Sequence, residues 1–327
     1  KIETQKNNKP MKKKITILLP AYNEEASIGL LKEKMLEVAR DNSGYDWEFL
    51  IVNDGSKDNT LELIKQLHRD DDRFSYIDLS RNYGKEIAMM AGFDYATGDA
   101  VIIMDSDMQH PISSIPEMIK YWEDGYQDVY AERKSSKETW FKRKSSQLYY
   151  KILQNTTRIP IQGHTGDVRL LDRVCINALR EMRECQRNTK GMYCWIGFRK
   201  KGIKYEQLER LNGTTKWKLS SLMNLAVDGL TAYTTSPLRI ASILGIIASL
   251  IGFIYLVYIL VNTMLFGDPV AGYPTLMVTI LFHGGVQLLS LGIIGEYLGR
   301  VFNESKHRPP YFVNTYNDKQ VISNPGK

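Results

Sequence analysis

Cysteine is scarce in this chain, and two common glycine-rich phosphate-binding motifs are missing. The three cysteines among 327 residues, Cys175, Cys185 and Cys194, are 10 and 9 positions apart, a spacing that fits neither a zinc site nor a disulfide framework. We therefore predict three reduced thiols. There is no G-x-G-x-x-G after the first apolar run and no G-x-x-x-x-G-K-S/T, which argues against a dinucleotide-dependent enzyme and a P-loop NTPase.

Charge is missing from two long stretches near the C-terminal end. Residues 240–266 contain no charged side chain, and residues 274–295 contain none apart from a protonated His283. As helices they would be about 40 and 33 Å long, enough to cross a hydrocarbon core of about 30 Å. We predict two transmembrane helices within residues 240–300, with the lipid bilayer as a partner. A buried hairpin of a soluble protein is the alternative.

The Lys and Arg residues around these stretches predict an orientation. Residues 267–273 contain neither residue type, whereas the outer flanks contain Lys216, Lys218, Arg239, Arg300, Lys306 and Arg308. Because segments on the cytoplasmic side are enriched in these cations, we predict a multi-pass cell-membrane protein. Both termini and the polar domain would lie in the cytoplasm.

Composition divides the rest of the chain into further segments. We predict that residues 1–14 form a basic flexible tail, 15–216 a polar domain, 217–239 an amphipathic juxtamembrane segment and 301–327 a second tail. Gly292, Gly295 and Gly299 share one helical face, which would allow protomers to join through the membrane helices. The net charge is +6, and we predict no nucleic-acid partner.

The polar domain alternates between apolar runs and helical patterns. The apolar runs are residues 15–20, 49–52, 74–79 and 100–104, and helical patterns fill residues 24–40, 58–70 and 85–96. This alternation predicts an open, mainly parallel α/β sheet with helices on both faces, of the Rossmann-like kind. Ligands of such sheets bind beyond the carboxyl ends of the strands.

A polar motif follows each apolar run, where that ligand edge would be. Asp105 and Asp107 flank a single residue, and two carboxylates so close repel one another unless a cation lies between them. A hard divalent ion such as Mg²⁺ suits them, with Gln109 as a third oxygen ligand and a diphosphate as its usual companion. The alternative is a pair of solvated turn aspartates. Tyr22, Glu24 and Asp54 could recognise a base and a ribose.

A basic cluster lies later in the domain. Six cations and only one acid occur between residues 133 and 144. A planar arginine fork binds phosphate well, so the cluster could hold a lipid phosphate. It could also be a solvated loop attracted to anionic headgroups. Arg210 and Lys216 form a further pair of cations before the apolar stretches.

Taken together, the motifs resemble one enzyme family over nearly the whole chain, from residue 15 to about 300. They are LPAYNEE (19–25), VNDGSKD (52–58), LSRNYGKEIAMMAG (79–92), MDSDMQHP (104–111), TGDVRLLDR (165–173), KGMYCWIGF (190–198) and NGTTKW (212–217). The ordered set resembles the family-2 glycosyltransferases of GT-A fold. More closely, it resembles their polyprenyl-phosphate branch, which includes dolichol-phosphate mannose synthase and the bacterial GtrB and CsbB type.

The resemblance implies a role for particular residues. For the donor nucleotide these are Pro20, Tyr22, Glu24, Val52, Asp54, Lys85 and Ser106, and for its diphosphate Arg210 and Lys216. For a Mg²⁺ or Mn²⁺ ion they are Asp105, Asp107 and Gln109. Arg133 and Arg143 would contact the acceptor phosphate, and Asp167 would have a catalytic role. The chain departs from many relatives at Ser106, Met108, Ile112 and Val168, which leaves the choice of sugar open.

The resemblance also implies an activity. We expect inverting transfer of one sugar from a nucleotide-sugar, a UDP-sugar with glucose or N-acetylglucosamine, to undecaprenyl phosphate on the cytoplasmic face of a bacterial plasma membrane. The product would serve cell-envelope glycan modification. No Arg-Trp pair occurs, which argues against a processive polysaccharide synthase. The alternative is a catalytically silent membrane scaffold that binds a nucleotide-sugar.

Overall fold

The structure is a computed structural model, and it describes residues 12–106, 112–133, 165–185, 187–205, 236–266 and 272–321. The chain divides into two compact units. Of the described residues, those up to 205 and from 309 onward belong to the first unit, and residues 236–308 within the described ranges belong to the second. The last described residues thus belong to the same unit as the first ones.

The first unit is built on one sheet whose centre is parallel. Within the described residues its strands are β1 (Lys14–Ala21), β2 (Asp46–Asn53), β3 (Phe74–Leu79), β4 (Ala100–Ile103), β5 (Asp128–Arg133), β6 (Thr165–Asp172), β7 (Lys200–Tyr205), β8 (Val313–Tyr316) and β9 (Lys319–Gln320). They lie in the order β7-β5-β6-β4-β1-β2-β3-β8-β9. The centre, from β4 to β3, is parallel, whereas β6 and β8 run antiparallel to their neighbours. The predicted Rossmann-like α/β sheet is confirmed, with antiparallel strands added on both sides.

Helices cover both faces of this sheet, as predicted. They are α1 (Ile28–Asp41), α2 (Thr60–Asp70), α3 (Lys85–Tyr95), α4 (Ile115–Glu123), α5 (Arg173–Glu181) and α6 (Thr189–Trp195), with a 3₁₀ turn at Ile112–Ser114. Successive side chains of a strand point to opposite faces. Ile17 of β1 accordingly packs with α1 and α4, whereas Leu18 packs with α3 and α5. None of the three cysteines, Cys175, Cys185 and Cys194, forms a disulfide bond.

The C-terminal segment was predicted only as a tail, but it forms part of the sheet. Strand β8 pairs antiparallel with β3, and β9 pairs with β8. Tyr311, just before β8, is fully buried, and its hydroxyl donates a hydrogen bond to Asp94 at 2.5 Å. Residues 301–327 are therefore not a uniform tail, because residues 311–320 complete one edge of the first unit.

The second unit contains the two segments predicted to be long apolar helices. They are helical, as α7 (Ser236–Phe266) and α8 (Tyr273–Ser305). His283 of α8 links them, since its Nε2 lies 3.2 Å from the carbonyl oxygen of Ala248 on α7. Within the described residues, no helix combines the length and the apolar character that crossing a membrane requires. Passage of residues 240–300 through a bilayer stays a prediction.

Candidate active site

The strand ends bring several predicted site residues to one edge of the sheet. Pro20 of β1 pairs with Val52 of β2, so the loops that follow these parallel strands leave the sheet side by side. Strand β4 runs in the same direction beside β1, with Leu18 opposite Ile103, and it leads directly into Asp105. The candidate nucleotide residues and the first candidate metal ligand therefore share this edge.

The loops after β1 and β2 hold each other in place. The backbone N–H of Asn23 donates to Ser56 Oγ at 3.0 Å, and the Asn23 side-chain oxygen accepts from the Lys57 N–H at 2.8 Å. The Glu24 N–H donates to Thr60 Oγ1 at 2.8 Å. The side chain of Tyr22, in the loop after β1, is left exposed. These bonds form a fixed frame that presents an aromatic ring at the edge of the sheet, which suits a flat ligand.

Asp54 joins the loop after β2 to the loop after β3. Its carboxylate is buried and accepts hydrogen bonds from the N–H groups of Tyr83 and Gly84 at 2.7 and 2.8 Å. Burial raises the pKa of Asp54, and the two backbone donors and Arg81 oppose that rise. From its sequence motif, Asp54 was predicted to contact the nucleotide. The structure adds that each of its oxygens already accepts one bond from the neighbouring loop.

Replacing Gly55 with alanine is expected to lower the melting temperature by about 5 °C. Gly55 has a φ of 65°, and a Cβ there would collide with the backbone of Arg81 and Asn82. Because the hydrogen bonds of Asp54 hold the two loops together, they cannot move apart to relieve the clash. Backbone strain of this kind costs about 1–3 kcal/mol. Thermal unfolding measures the effect. Gly44→Ala is the matched control, since a Cβ there meets no described atom within 4 Å, and equal melting temperatures would contradict the prediction.

Asp105 already has a cationic neighbour. The Nζ of Lys85, the first residue of α3, lies 2.5 Å from Asp105 Oδ1, and Ser106 next to it is buried. Asp107 and Gln109 lie outside the described residues. Within the described part of the chain, no three His, Cys, Asp or Glu side chains come together as a metal site. Asp105 is thus placed to hold positive charge, and the rest of the predicted ligand set is untested.

Asp167 and Arg133 are on the strands next to β4. Strand β6 pairs antiparallel with β4, with Arg169 opposite Ile103, so Asp167 lies two residues further along, toward the edge where β4 leads into Asp105. Arg133 ends β5, which pairs with β6 so that Glu132 lies opposite Thr165. The backbone register therefore brings both positions to the edge already occupied by Asp105. Arg143, Arg210 and Lys216 lie outside the described residues.

A buried ion pair supports these strands, and it was not predicted from the sequence. Asp128 of β5 and Arg169 of β6 are buried, and Arg169 Nη1 lies 2.6 and 2.9 Å from the two carboxylate oxygens. The guanidinium also packs over the rings of Tyr130 and Tyr193, at 5.0 and 4.2 Å from their centres. Arg169 belongs to the same TGDVR segment as Asp167, which was the only available signal.

Glu86, next to Lys85 on α3, is bonded to the start of α6. Its carboxylate accepts from the backbone N–H of Thr189 at 2.8 Å and from the Thr189 hydroxyl.

Nearby in the chain, Arg187 keeps Nε and Nη2 buried without a hydrogen-bond partner among the described residues, and burial lowers its pKa. A guanidinium with two such donors is suited to an anion. Sequence alone did not distinguish Arg187 from the other arginines.

Comparison with known proteins identifies the class. Residues 16–180 match the family described as "Glycosyl transferase family 2", and residues 236–301 match the "GtrB C-terminal hairpin". The chain belongs to glycosyl transferase family 2, and the predicted family resemblance is confirmed.

Several relatives match over nearly the full length of the chain. The putative glycosyltransferase CsbB of Bacillus subtilis is 43% identical and covers 93% of this chain and 92% of its own. The bactoprenol glucosyl transferase of Shigella phage SfV is 38% identical and covers 94% of this chain and 99% of its own. A solved mannosyltransferase of Pyrobaculum calidifontis, in complex with GDP-Man and Mn²⁺, is 14% identical, covers 86% of this chain and 88% of its own, and has a TM-score of 0.45.

Proposed function

We propose that the protein transfers one sugar from a nucleotide-sugar to undecaprenyl phosphate at a membrane surface. The observation that carries this proposal is the common strand edge. The braced loops after β1 and β2, the cation-holding Asp105, and the backbone positions of Asp167 and Arg133 all lie there. The bactoprenol glucosyl transferase of phage SfV, which covers 94% of this chain, supports a polyprenyl carrier as acceptor.

The nucleotide would bind across the loops after β1 and β2. Tyr22 offers an exposed ring beside the base, and Glu24 and Asp54 offer carboxylate oxygens to base and ribose donors. Pro20 and Val52 form the floor, because they are paired neighbours at the ends of their strands. The hydrogen bonds among Asn23, Ser56 and Lys57 hold this cradle in shape before the nucleotide arrives, which reduces the ordering cost of binding.

A divalent cation, Mg²⁺ or Mn²⁺, fits the chemistry of this edge. Asp105 holds the Lys85 ammonium group in the structure, which supports a preference for positive charge there. Asp105, Asp107 and Gln109 would hold the ion, and its charge would offset the negative charge that builds on the leaving diphosphate. Lys85 would then be released toward the donor phosphates, where Arg210 and Lys216 would add further cationic contacts.

The acceptor needs positioning more than activation. A phosphate monoester has its second pKa near 6, so it is mostly a dianion at neutral pH. Arg133 and Arg143 would hold that dianion by charge-assisted hydrogen bonds. Asp167 would orient groups beside the sugar and stabilise its developing positive charge. A single displacement would invert the anomeric carbon and give a β-linked lipid phosphosugar from an α-linked donor.

The second unit would anchor the enzyme to its lipid substrate. Residues 236–301 match the GtrB C-terminal hairpin. Large apolar side chains of both helices are exposed, including Met264 at 84% and Leu288 at 72%. Removing such surface from water favours insertion by about 25 cal/mol per Å². We propose that α7 and α8 enter the membrane with both termini on the cytoplasmic side, where the nucleotide-sugar is available.

Purified full-length protein in lipid is expected to move label from one of a panel of UDP-sugars into the lipid phase when undecaprenyl phosphate is supplied. EDTA should remove this transfer, because the diphosphate would lose its counter-charge. Omitting the acceptor is the control. Donor binding without turnover would instead favour a silent scaffold, and an α-linked product would contradict the single displacement.

A further inference from the structure

After α8, the chain continues in the first unit. We call residues 309–321 the strap. Besides the bond from Tyr311 to Asp94, the hydroxyl of Tyr76 on β3 donates to Asp318 at 2.6 Å, and the Tyr76 N–H donates to the side chain of Asn317 at 2.8 Å. The strap is thus fastened at both of its ends.

One strap residue is turned out of the regular pairing. The register of β8 on β3 places Thr315 opposite Asp78 and Val313 opposite Leu79, so Asn314 is the extra residue of a β-bulge. Its side-chain nitrogen donates to Asp78 Oδ2 at 3.1 Å. Bulges commonly re-aim a side chain near a functional site. Here the re-aimed amide contacts a carboxylate that is 8% exposed.

Asp78 passes this contact on to the nucleotide cradle. Its other oxygen, Oδ1, accepts from the side-chain nitrogen of buried Asn53 at 2.7 Å. The Asn53 side-chain oxygen in turn accepts from the backbone N–H of Ser56 at 3.3 Å. Ser56 is the residue whose hydroxyl accepts from the Asn23 N–H. A continuous relay therefore runs from the strap through β3 to the loops after β2 and β1.

A second contact reaches the remaining loop of the site. The backbone N–H of Ser80, directly after β3, donates to the carbonyl oxygen of Phe312 in the strap at 2.9 Å. This loop continues to Tyr83 and Gly84, whose N–H groups bond to Asp54. The strap thus supports, from the outer side of β3, both of the loops that Asp54 joins, the one after β2 and the one after β3.

We propose that Asn314, acting through Asp78, is a positioning residue for the donor nucleotide. Removing its amide leaves a buried carboxylate oxygen without its donor and frees Asn53 to turn away from Ser56. The cradle then becomes ordered only when nucleotide binds, so affinity falls while the reacting groups stay unchanged. This inference rests on the proposed role of the 22–24 and 53–57 loops in nucleotide binding.

The test measures the Kd of Mn²⁺–UDP for full-length protein in lipid. Asn314→Ala should raise the Kd about tenfold, the size expected when a buried acceptor loses one donor. The kcat at saturating donor should stay within about twofold of wild type, since only uniform binding is lost. Asn314→Asp should be worse, because it places a carboxylate against Asp78. Combining it with Asp78→Asn restores one amide and one carboxylate to the relay and should recover the affinity.

Tyr311→Phe is the matched control, because it removes a strap bond at Asp94, near the far end of α3 from Lys85. It should lower the melting temperature without changing the Kd. Hydrogen exchange at the Ser56 amide gives a readout without nucleotide and should speed up about tenfold in Asn314→Ala only. Unchanged exchange at Ser56 overturns the inference, as does a Kd equal to wild type. Failure of wild type to bind Mn²⁺–UDP, with faster exchange in Asn314→Ala, counts against the proposed donor and keeps the relay.

Discussion

Replacing Asp105 with asparagine is expected to lower the rate of sugar transfer about a thousandfold. A bound divalent ion contributes several kcal/mol of charge stabilisation to a departing diphosphate, and each 1.4 kcal/mol is about tenfold in rate. Asparagine keeps the size of Asp105 and loses the negative charge that attracts the ion. The measurement is kcat with the labelled donor and undecaprenyl phosphate, at several concentrations of Mn²⁺.

The same substitution should leave the fold intact. The pair that Asp105 makes with Lys85 is partly exposed, with side chains 23% and 42% accessible, and such pairs contribute about 1 kcal/mol or less. Asp70→Asn is the matched control, because it removes an exposed lysine–aspartate pair of similar length, to Lys32 at 2.9 Å, away from the strand edge. A variant at Asp105 that kept a tenth of the activity, or the wild-type response to EDTA, would show that Asp105 does not hold the ion.

The central sheet was predictable because each of its strands has a recognisable local sequence pattern. The segment FLIV of β2 is an uninterrupted apolar run, and ITILL of β1 is interrupted only by Thr16, a pattern typical of strands that are buried on both faces. Strand β8 was missed for the opposite reason. Its sequence, VNTY, is short and half polar, and its partner β3 lies more than 230 residues earlier in the chain. Nothing local in such a segment distinguishes a strand from a polar turn.

The sequence could predict which edge of the sheet holds the site, but not the hydrogen bonds and ion pairs within it. Polar motifs that follow parallel strands must meet at one edge, so Asp54 and Asp105 could be placed there from the sequence. That Asp54 also joins two loops depends on where the backbone of Tyr83 and Gly84 lies. The pairing of Asp128 with Arg169 spans 41 residues across antiparallel strands. Charges far apart in sequence give no indication of such a contact.

Replacing Asp128 with asparagine is expected to cause a larger loss of stability than Gly55→Ala or Asp105→Asn. It leaves the Arg169 guanidinium buried between two tyrosine rings without a counter-charge, and Lys200, whose Nζ lies 3.4 Å from Asp128, loses the same partner. Breaking a buried ion pair in this way costs about 3–5 kcal/mol. For a unit of about 200 residues the melting temperature should fall by about 10 °C. Thermal unfolding of the full-length protein in lipid measures it.

The double substitution Asp128→Leu with Arg169→Met separates the cost of an unpaired charge from the value of the pair. It replaces both buried charges with apolar side chains, and exchanges of this kind are often neutral or stabilising. We therefore expect the melting temperature of the double variant to lie closer to wild type than that of Asp128→Asn, even though Asp128→Asn changes fewer atoms. Asp71→Asn, which breaks the more exposed pair to Arg73, should shift the melting temperature by less than about 3 °C. If Asp128→Asn behaved like this control, strands β5 and β6 would owe their alignment, and with it the positions of Arg133 and Asp167, to the backbone ladder alone.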